Sequence, residues 1–525
     1  MGRKTLILAV VTAIAVAGIF FKTNFAPTED ELLQRYLGIS VIEKTVPDPS
    51  LAAEMPYPVP VLIISLFGKQ AAFSPEWFRL PNYLVTLAFL ALLYAAVKNS
   101  GTGKTAVIMA VITPWLLFEG LFDLPATLTL TLAVGLYLAE KISSEKVRWT
   151  AEAVIMGLLT LTSAGGGGFG LIFLVWKAFK DKSGKFKPAG ISLLTLILLA
   201  GCWFTQLKQD RNWFFNNENI SLPAESELVD QHVRYEYKIN DYRNIIPLPV
   251  KRLVYNKYYF AYRDITEQAG KVLDWEKWSF PGQAATTVAK SLWASKGLGW
   301  ITFWQLVLAI WASKKLKSRE KEIGWLFLSW AAVMMFLSSG SNFLSAGLGI
   351  VVPLAIWSAA GVNEINWKKW WPAGILAVWG GTAFIYHFAA NEVYWRSNRP
   401  MAFMQMAESG KKYGNDKPTQ ITTILGRTFL YYAWITRQPA DKLWTGVATG
   451  KIDQVTFNHF DLKNQKSDKQ IYIGFPGEFL GSKELDNSFS ARQLPGEYKL
   501  LYSFQTHDTL SFGNGDYIWT VEVNK

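Results

Sequence analysis

The chain has 525 residues, 50% of them hydrophobic and 15% aromatic, and its 53 Lys+Arg against 41 Asp+Glu give a formal net charge of +12. A mean hydropathy of +0.14 excludes an ordinary soluble protein of this length, because apolar runs of bilayer length alternate with polar stretches. One cysteine, Cys202, excludes a disulfide framework and a Cys-based zinc site; His232, His387, His459 and His507 are scattered, which argues against a His-rich metal centre, and Lys/Arg gathered in cytoplasmic loops explains the charge without nucleic acid.

In chain order, Arg3-Lys4 precedes an apolar run at 5–21 that is followed by Lys22-Thr23-Asn24-Phe25 and not by a small-residue cleavage site, so it is read as an uncleaved first span. An amphipathic helix is expected near Thr28–Glu43, opening on Glu29-Asp30-Glu31. The run Tyr57–Lys69 starts Pro56-Tyr57-Pro58-Val59-Pro60 and is shorter than the roughly 20 residues a crossing needs. Further apolar runs fall near 80–98, 104–118, 123–140, 149–163, 166–179, 188–206, 298–313, 322–338, 341–360 and 370–389. With Tyr57–Lys69 lying on the outer surface, roughly eleven helices span the bilayer.

Charge supports that threading. With the N-terminus inside, the cytoplasmic loops contain Lys98/Lys104, Lys141/Lys146/Arg148, the basic stretch 177–187, the basic stretch 314–321 and Lys368-Lys369. The short outer loops Glu119–Asp123, Ser163–Gly165 and Ser338–Asn342 carry no Lys or Arg. If Tyr57–Lys69 crossed, every assignment would invert and oppose the positive-inside rule. The expected organisation is a multi-pass domain over 1–389, with outer loops 22–79 and 207–296, and an extracytoplasmic α/β domain over 390–525. In the latter, helices are expected at Met401–Tyr413 and Thr428–Arg437, and strands at Ile471–Gly474, Tyr498–Phe504 and Tyr517–Val523, with turns at Pro476-Gly477 and Pro495-Gly496. The short loops point to a prokaryotic plasma membrane.

Two apparent phosphate loops are set aside. Gly101-Thr102-Gly103-Lys104-Thr105 lacks the first glycine of a P-loop, since Lys98 stands there, and no strand precedes it. Gly165, Gly167 and Gly170 fit G-x-G-x-x-G, yet they sit where two spans meet; a tight turn and close helix packing are the plainer explanation of both. The spans are almost free of ionisable groups, unlike those of a proton- or ion-coupled transporter. Glu29-Asp30-Glu31 and the pair Glu119/Asp123 instead share the outer face. A solvated polar loop accounts for acids there, and so does a carboxylate pocket supplying a general base, orienting a substrate or holding a divalent metal. The stretch 251–263 contains Arg252, Lys257 and Arg263 among tyrosines; it fits a helix on lipid headgroups or a clamp for the phosphate of a lipid-linked substrate.

In order and spacing, residues 1–205 resemble the GT-C fold glycosyltransferases, especially the bacterial relatives of dolichyl-phosphate-mannose protein mannosyltransferases and of the lipid A aminoarabinose transferase. The residues that carry the resemblance are Thr28-Glu29-Asp30-Glu31-Leu32 after the first span, Pro56-Tyr57-Pro58-Val59-Pro60 where the family has His-Pro-Pro, Phe78-Arg79-Leu80-Pro81 opening the second span, and Phe122-Asp123-Leu124-Pro125 opening the fourth. The later part resembles the family in architecture. Two departures stand out: the family histidine is replaced near Tyr57, and the Lys-Gly at the outer end of the fifth span reads Ser163-Ala164-Gly165. Either Lys257 or Arg252 takes over the phosphate, or the donor differs, or activity is weakened.

The resemblance implies a glycosyltransferase of the cell envelope that moves a sugar from a polyprenyl-phosphate donor to a protein, glycan or lipid acceptor on the outer face of the membrane. It implies Asp30 as base, Glu31 and Asp123 as acceptor-orienting groups, and Arg252, Lys257, Arg263, Tyr57 and Glu119 as substrate- and phosphate-binding groups. The rivals are a transporter or flippase of lipid-linked sugars and a non-catalytic membrane assembly protein.

Overall fold

The computed structural model describes residues 27–52, 57–74, 77–113, 116, 123–180, 297–337, 348–364, 399–423, 427–458, 470–474, 504–511 and 517–523. The expected spans at 5–21, 188–206 and 370–389, the loop 207–296 and both Pro-Gly turns lie outside these residues.

Helices form on the apolar runs in chain order: α1 Glu29–Glu43, α2 Pro58–Leu66, α3 Leu80–Val97, α4 Gly103–Ile112, α5 Leu124–Ala139, α6 Glu145–Thr160, α7 Ala164–Lys180, α8 Gly297–Ala312, α9 Ser318–Leu337 and α10 Val351–Glu364. The C-terminal region adds α11 Arg399–Tyr413, β1 Thr419–Ile421, α12 Thr428–Ile435, α13 Ala440–Thr449, β2 Lys451–Ile452, β3 Val455–Phe457, β4 Ile471–Gly474, β5 Phe504–Ser511 and β6 Tyr517–Val523. Among the described residues Leu80–Ser100, 21 residues long, is the helix both long and apolar enough to cross a membrane by length and composition. Leu124–Ala139 and Leu348–Glu364 are apolar but shorter. α9 reaches 20 residues, but its first five include Arg319, Glu320, Lys321 and Glu322, which shortens its apolar part. α2 has 9 residues. At 1.5 Å per residue it extends about 14 Å, under half of a hydrocarbon core about 30 Å thick.

Two compact units make up the chain. The first comprises Met1–Val85, Leu121–Leu124 and Ala377–Lys525, so the segment expected as an outer loop packs with the C-terminal region. Its sheet has the order β2-β3-β1-β4-β6-β5, with β1 parallel to β3 and β4 and the remaining pairs antiparallel. The predicted strands β4 and β6 form with the expected bounds. Of the expected strand Tyr498–Phe504 only Phe504 lies among the described residues; there β5 starts and pairs along β6 with a register shift between Thr506 and Asp508. α1 is not a half-exposed amphipathic helix: every residue from Glu31 to Ser40 is buried. Leu32, Leu33 and Tyr36 share one apolar core with Phe403 of α11, Tyr431 of α12 and Trp444 of α13. A helix with two covered faces belongs inside a domain, and each large side chain buried this way contributes about 1.5–3 kcal/mol.

The second unit comprises Thr86–Gly120 and Pro125–Leu376. α10 packs against α8, α4 and α9, and α7 packs against α6 and α9. The glycine run opening α7 is a packing device: a Cβ on Gly166 would stand 2.2 Å from the Leu159 carbonyl oxygen. Gly101, at φ +86°, ends a single 3-10 turn before α4. The Gly101 motif thus serves a turn, whereas in the motif of Gly165, Gly167 and Gly170 the close approach falls on Gly166 between the motif positions, a Cβ on Gly167 meeting open space.

Inside this unit one ion-pair cluster joins neighbouring helices. Glu152 on α6 is 1% exposed and accepts from Lys177 Nζ on α7 at 2.8 and 2.6 Å, while Lys177 also pairs with Glu140 at 2.9 Å. The ammonium on α7 answers two carboxylates, Glu152 on α6 and Glu140 just past the end of α5. Lys177→Met, which leaves both acids without this cation, is expected to cost about 3–5 kcal/mol. Glu152→Leu keeps Lys177 paired with Glu140 and should cost much less; thermal unfolding of the two variants in detergent gives the comparison, and equal losses would refute this account.

Candidate active site

The start of α1 organises the site locally. Thr28 Oγ1 accepts from the Glu31 N–H at 3.2 Å and Glu31 Oε2 accepts from the Thr28 N–H at 2.9 Å, a reciprocal cap that fixes the first turn. Three acids, Glu29, Asp30 and Glu31, occupy that turn, where the positive end of the helix favours negative charge.

Their fates differ. Glu31 is buried and takes both prongs of a guanidinium, Arg79 Nε to Oε1 at 2.8 Å and Arg79 Nη2 to Oε2 at 2.9 Å. Burial works to lower the Arg79 pKa, and the charge and hydrogen bond of Glu31 more than offset it, so it stands above its ordinary value. One turn along α1, Arg35 lies over the Phe78 ring at 4.8 Å, and its Nη2 donates to the Phe78 carbonyl and to Asn82 Oδ1. Burial lowers the Arg35 pKa to about 10; the Glu31 charge opposes that and the Arg79 charge adds to it. Glu31 and Arg35, four residues apart and so on one helical face, together clasp the segment 78–82.

Asp30 is exposed and Glu29 half-buried. Asp123, half-buried, immediately precedes α5 and belongs to the same unit as α1. Tyr57 is buried at the N-cap position of α2, ahead of Pro58. Glu119, Arg252, Lys257 and Arg263 lie outside the described residues. Among the described residues no group of three or more His, Cys, Asp or Glu side chains could hold a metal ion.

The structure also brings in partners that sequence reasoning missed. Arg79 entered the sequence reading only as part of an Arg-x-Pro opening, and Arg35 not at all; the spacing of Glu31 and Arg35 was the available signal. From the C-terminal region, the fully buried Tyr431 of α12 donates its hydroxyl to the Pro27 carbonyl at 2.9 Å. Burial, followed by the charges of Glu29, Glu31 and Asp30, holds this phenol well above its ordinary pKa. Further along α1, Trp444 Nε1 donates to Ser40 Oγ at 2.8 Å and the Ala440 N–H to Glu43 Oε2 at 2.8 Å. No sequence-local pattern announces any of these.

No protein-family model matches the chain, and no curated protein matches it by sequence. Among solved structures, the chain resembles ArnT from Cupriavidus metallidurans bound to undecaprenyl phosphate, with a TM-score of 0.51 and 13% identity over 99% of both chains. It also resembles the apo state of the same ArnT, with a TM-score of 0.52 and 12% identity over 99% of this chain and 98% of that one. The resemblance to a lipid A aminoarabinose transferase of the GT-C class, carried by motifs in residues 1–205, thus holds as a fold over nearly the whole length. The fold is ArnT-like, mostly helical with a small mixed C-terminal sheet.

Proposed function

We propose that the chain is a membrane glycosyltransferase that moves a sugar from a polyprenyl-phosphate donor to an acceptor hydroxyl or amine on the outer face of the membrane. The observation that carries this reading is the ArnT-like fold over 99% of both chains. The geometry around Asp30 supports it, because one acid of the first turn is exposed while its neighbour is held by an arginine.

A polyprenyl phosphate is already a good leaving group, so the site needs a base for the acceptor and positive charge for the departing phosphate. The acceptor oxygen or nitrogen attacks the anomeric carbon, Asp30 takes its proton, and the bond to the lipid phosphate breaks with the electron pair leaving on the phosphate oxygen. Asp123 orients the acceptor, and Arg252 or Lys257 receives the phosphate. The acceptor-orienting role expected of Glu31 is reassigned: both its oxygens already accept from Arg79, and it serves to anchor the turn that carries Asp30.

The test is incubation of the purified chain in lipid nanodiscs with a panel of radiolabelled polyprenyl-phosphate sugars. Transfer releases free polyprenyl phosphate in step with labelled acceptor. A flippase would relocate the labelled lipid without releasing it, and an assembly protein would do neither.

A further inference from the structure

We propose that Tyr431 is a positioning residue for the Asp30 carboxylate, holding the chain at Pro27 so that the first turn of α1 presents its exposed acid in one orientation. This rests on the transferase reading above. Pro27 is buried and is the residue just before the capping Thr28. Its carbonyl receives the Tyr431 hydroxyl from 404 residues away, at 2.9 Å. The ring itself is seated independently, packed against Phe403 with centroids 5.6 Å apart and none of its surface exposed. A tyrosine that only filled this space would need no hydroxyl. Here the hydroxyl fixes the peptide that leads into the capping box, three residues before Asp30. Without it, a buried carbonyl lacks its donor and turns to find another, which rotates the 27–28 peptide and swings the turn with it. The phenol stays protonated across the range in which a carboxylate base works, because burial and the three neighbouring acids hold its proton. The hold therefore does not release as the base titrates.

The experiment compares full-length wild type, Tyr431→Phe and Tyr36→Phe on a donor that the wild type turns over. Tyr36 is the control: its hydroxyl also ties α1 to the C-terminal region, donating to the Gln438 carbonyl at 3.4 Å, but two turns away from Asp30. Tyr431→Phe is expected to lower kcat, measured per folded protein, at least about tenfold with the donor KM little changed. It should also move the acid limb of the pH–rate profile, whose position does not depend on how much of the variant folds. Tyr36→Phe should keep the wild-type kcat and the wild-type limb. Wild-type kcat and limb in Tyr431→Phe, or equal effects in the two variants, would overturn the proposal while leaving the transferase reading in place. A wild type that transfers from no donor removes that reading and this proposal together.

Discussion

Asp30→Asn is expected to lower kcat about 10²- to 10⁴-fold, the usual contribution of a positioned general base. Asparagine keeps the size and polarity of the side chain on an exposed position, so the fold and the donor affinity should survive. Glu29→Gln in the same turn serves as the control for lost negative charge near the helix start and should leave most of the activity. Release of free polyprenyl phosphate, followed at several donor concentrations, separates kcat from KM. Full activity in Asp30→Asn would remove Asp30 from the mechanism. Glu31 is the weaker candidate on geometric grounds, since both its oxygens already accept from Arg79 and one also accepts from the Thr28 N–H, so neither faces an acceptor.

Glu31→Gln should do its damage through stability. Two guanidinium groups, Arg79 and Arg35, lie buried beside this one carboxylate. Removing its charge leaves two buried cations facing each other, at an expected cost of about 3–5 kcal/mol. Arg79→Gln instead leaves Glu31 beside Arg35, one charge of each sign, and should cost less. That order, acid worse than base, is the signature of a carboxylate shared by two arginines. Tryptophan-monitored thermal unfolding in detergent reads it, with the double variant Glu31→Gln/Arg79→Gln expected to fall between wild type and Glu31→Gln. If Arg79→Gln proves the more damaging of the two, the sharing is wrong and the pair is a simple two-partner bridge.

Much of the secondary structure was legible because its causes are local. Thr28 with Glu31 three residues on is a capping box that any reader of the sequence can find, and α1 begins at Glu29. The apolar run near 80–98 became α3, and the proline-rich opening of Tyr57–Lys69 became the short α2 with Pro58 in its first turn. β4 forms on the short, wholly buried run Ile471-Tyr472-Ile473, β6 on an apolar-rich run, and α12 starts at the expected Thr428. β1 and β3 went unpredicted: three residues each, they exist because β1 lies parallel between β3 and β4.

The site divides in the same way. Short motifs in residues 1–205 were enough to point to the ArnT-like fold, and the capping box to the acids of the first turn of α1, since a helix start is written in neighbouring residues. Which acid is exposed and which is buried was decided by tertiary structure alone: Glu31 meets Arg79 across 48 residues and Pro27 meets Tyr431 across 404. Patterns of three to seven residues record what a turn needs. Partners that distant are chosen by how the chain packs, and packing energy depends on the whole assembled core, where no short stretch of sequence records it.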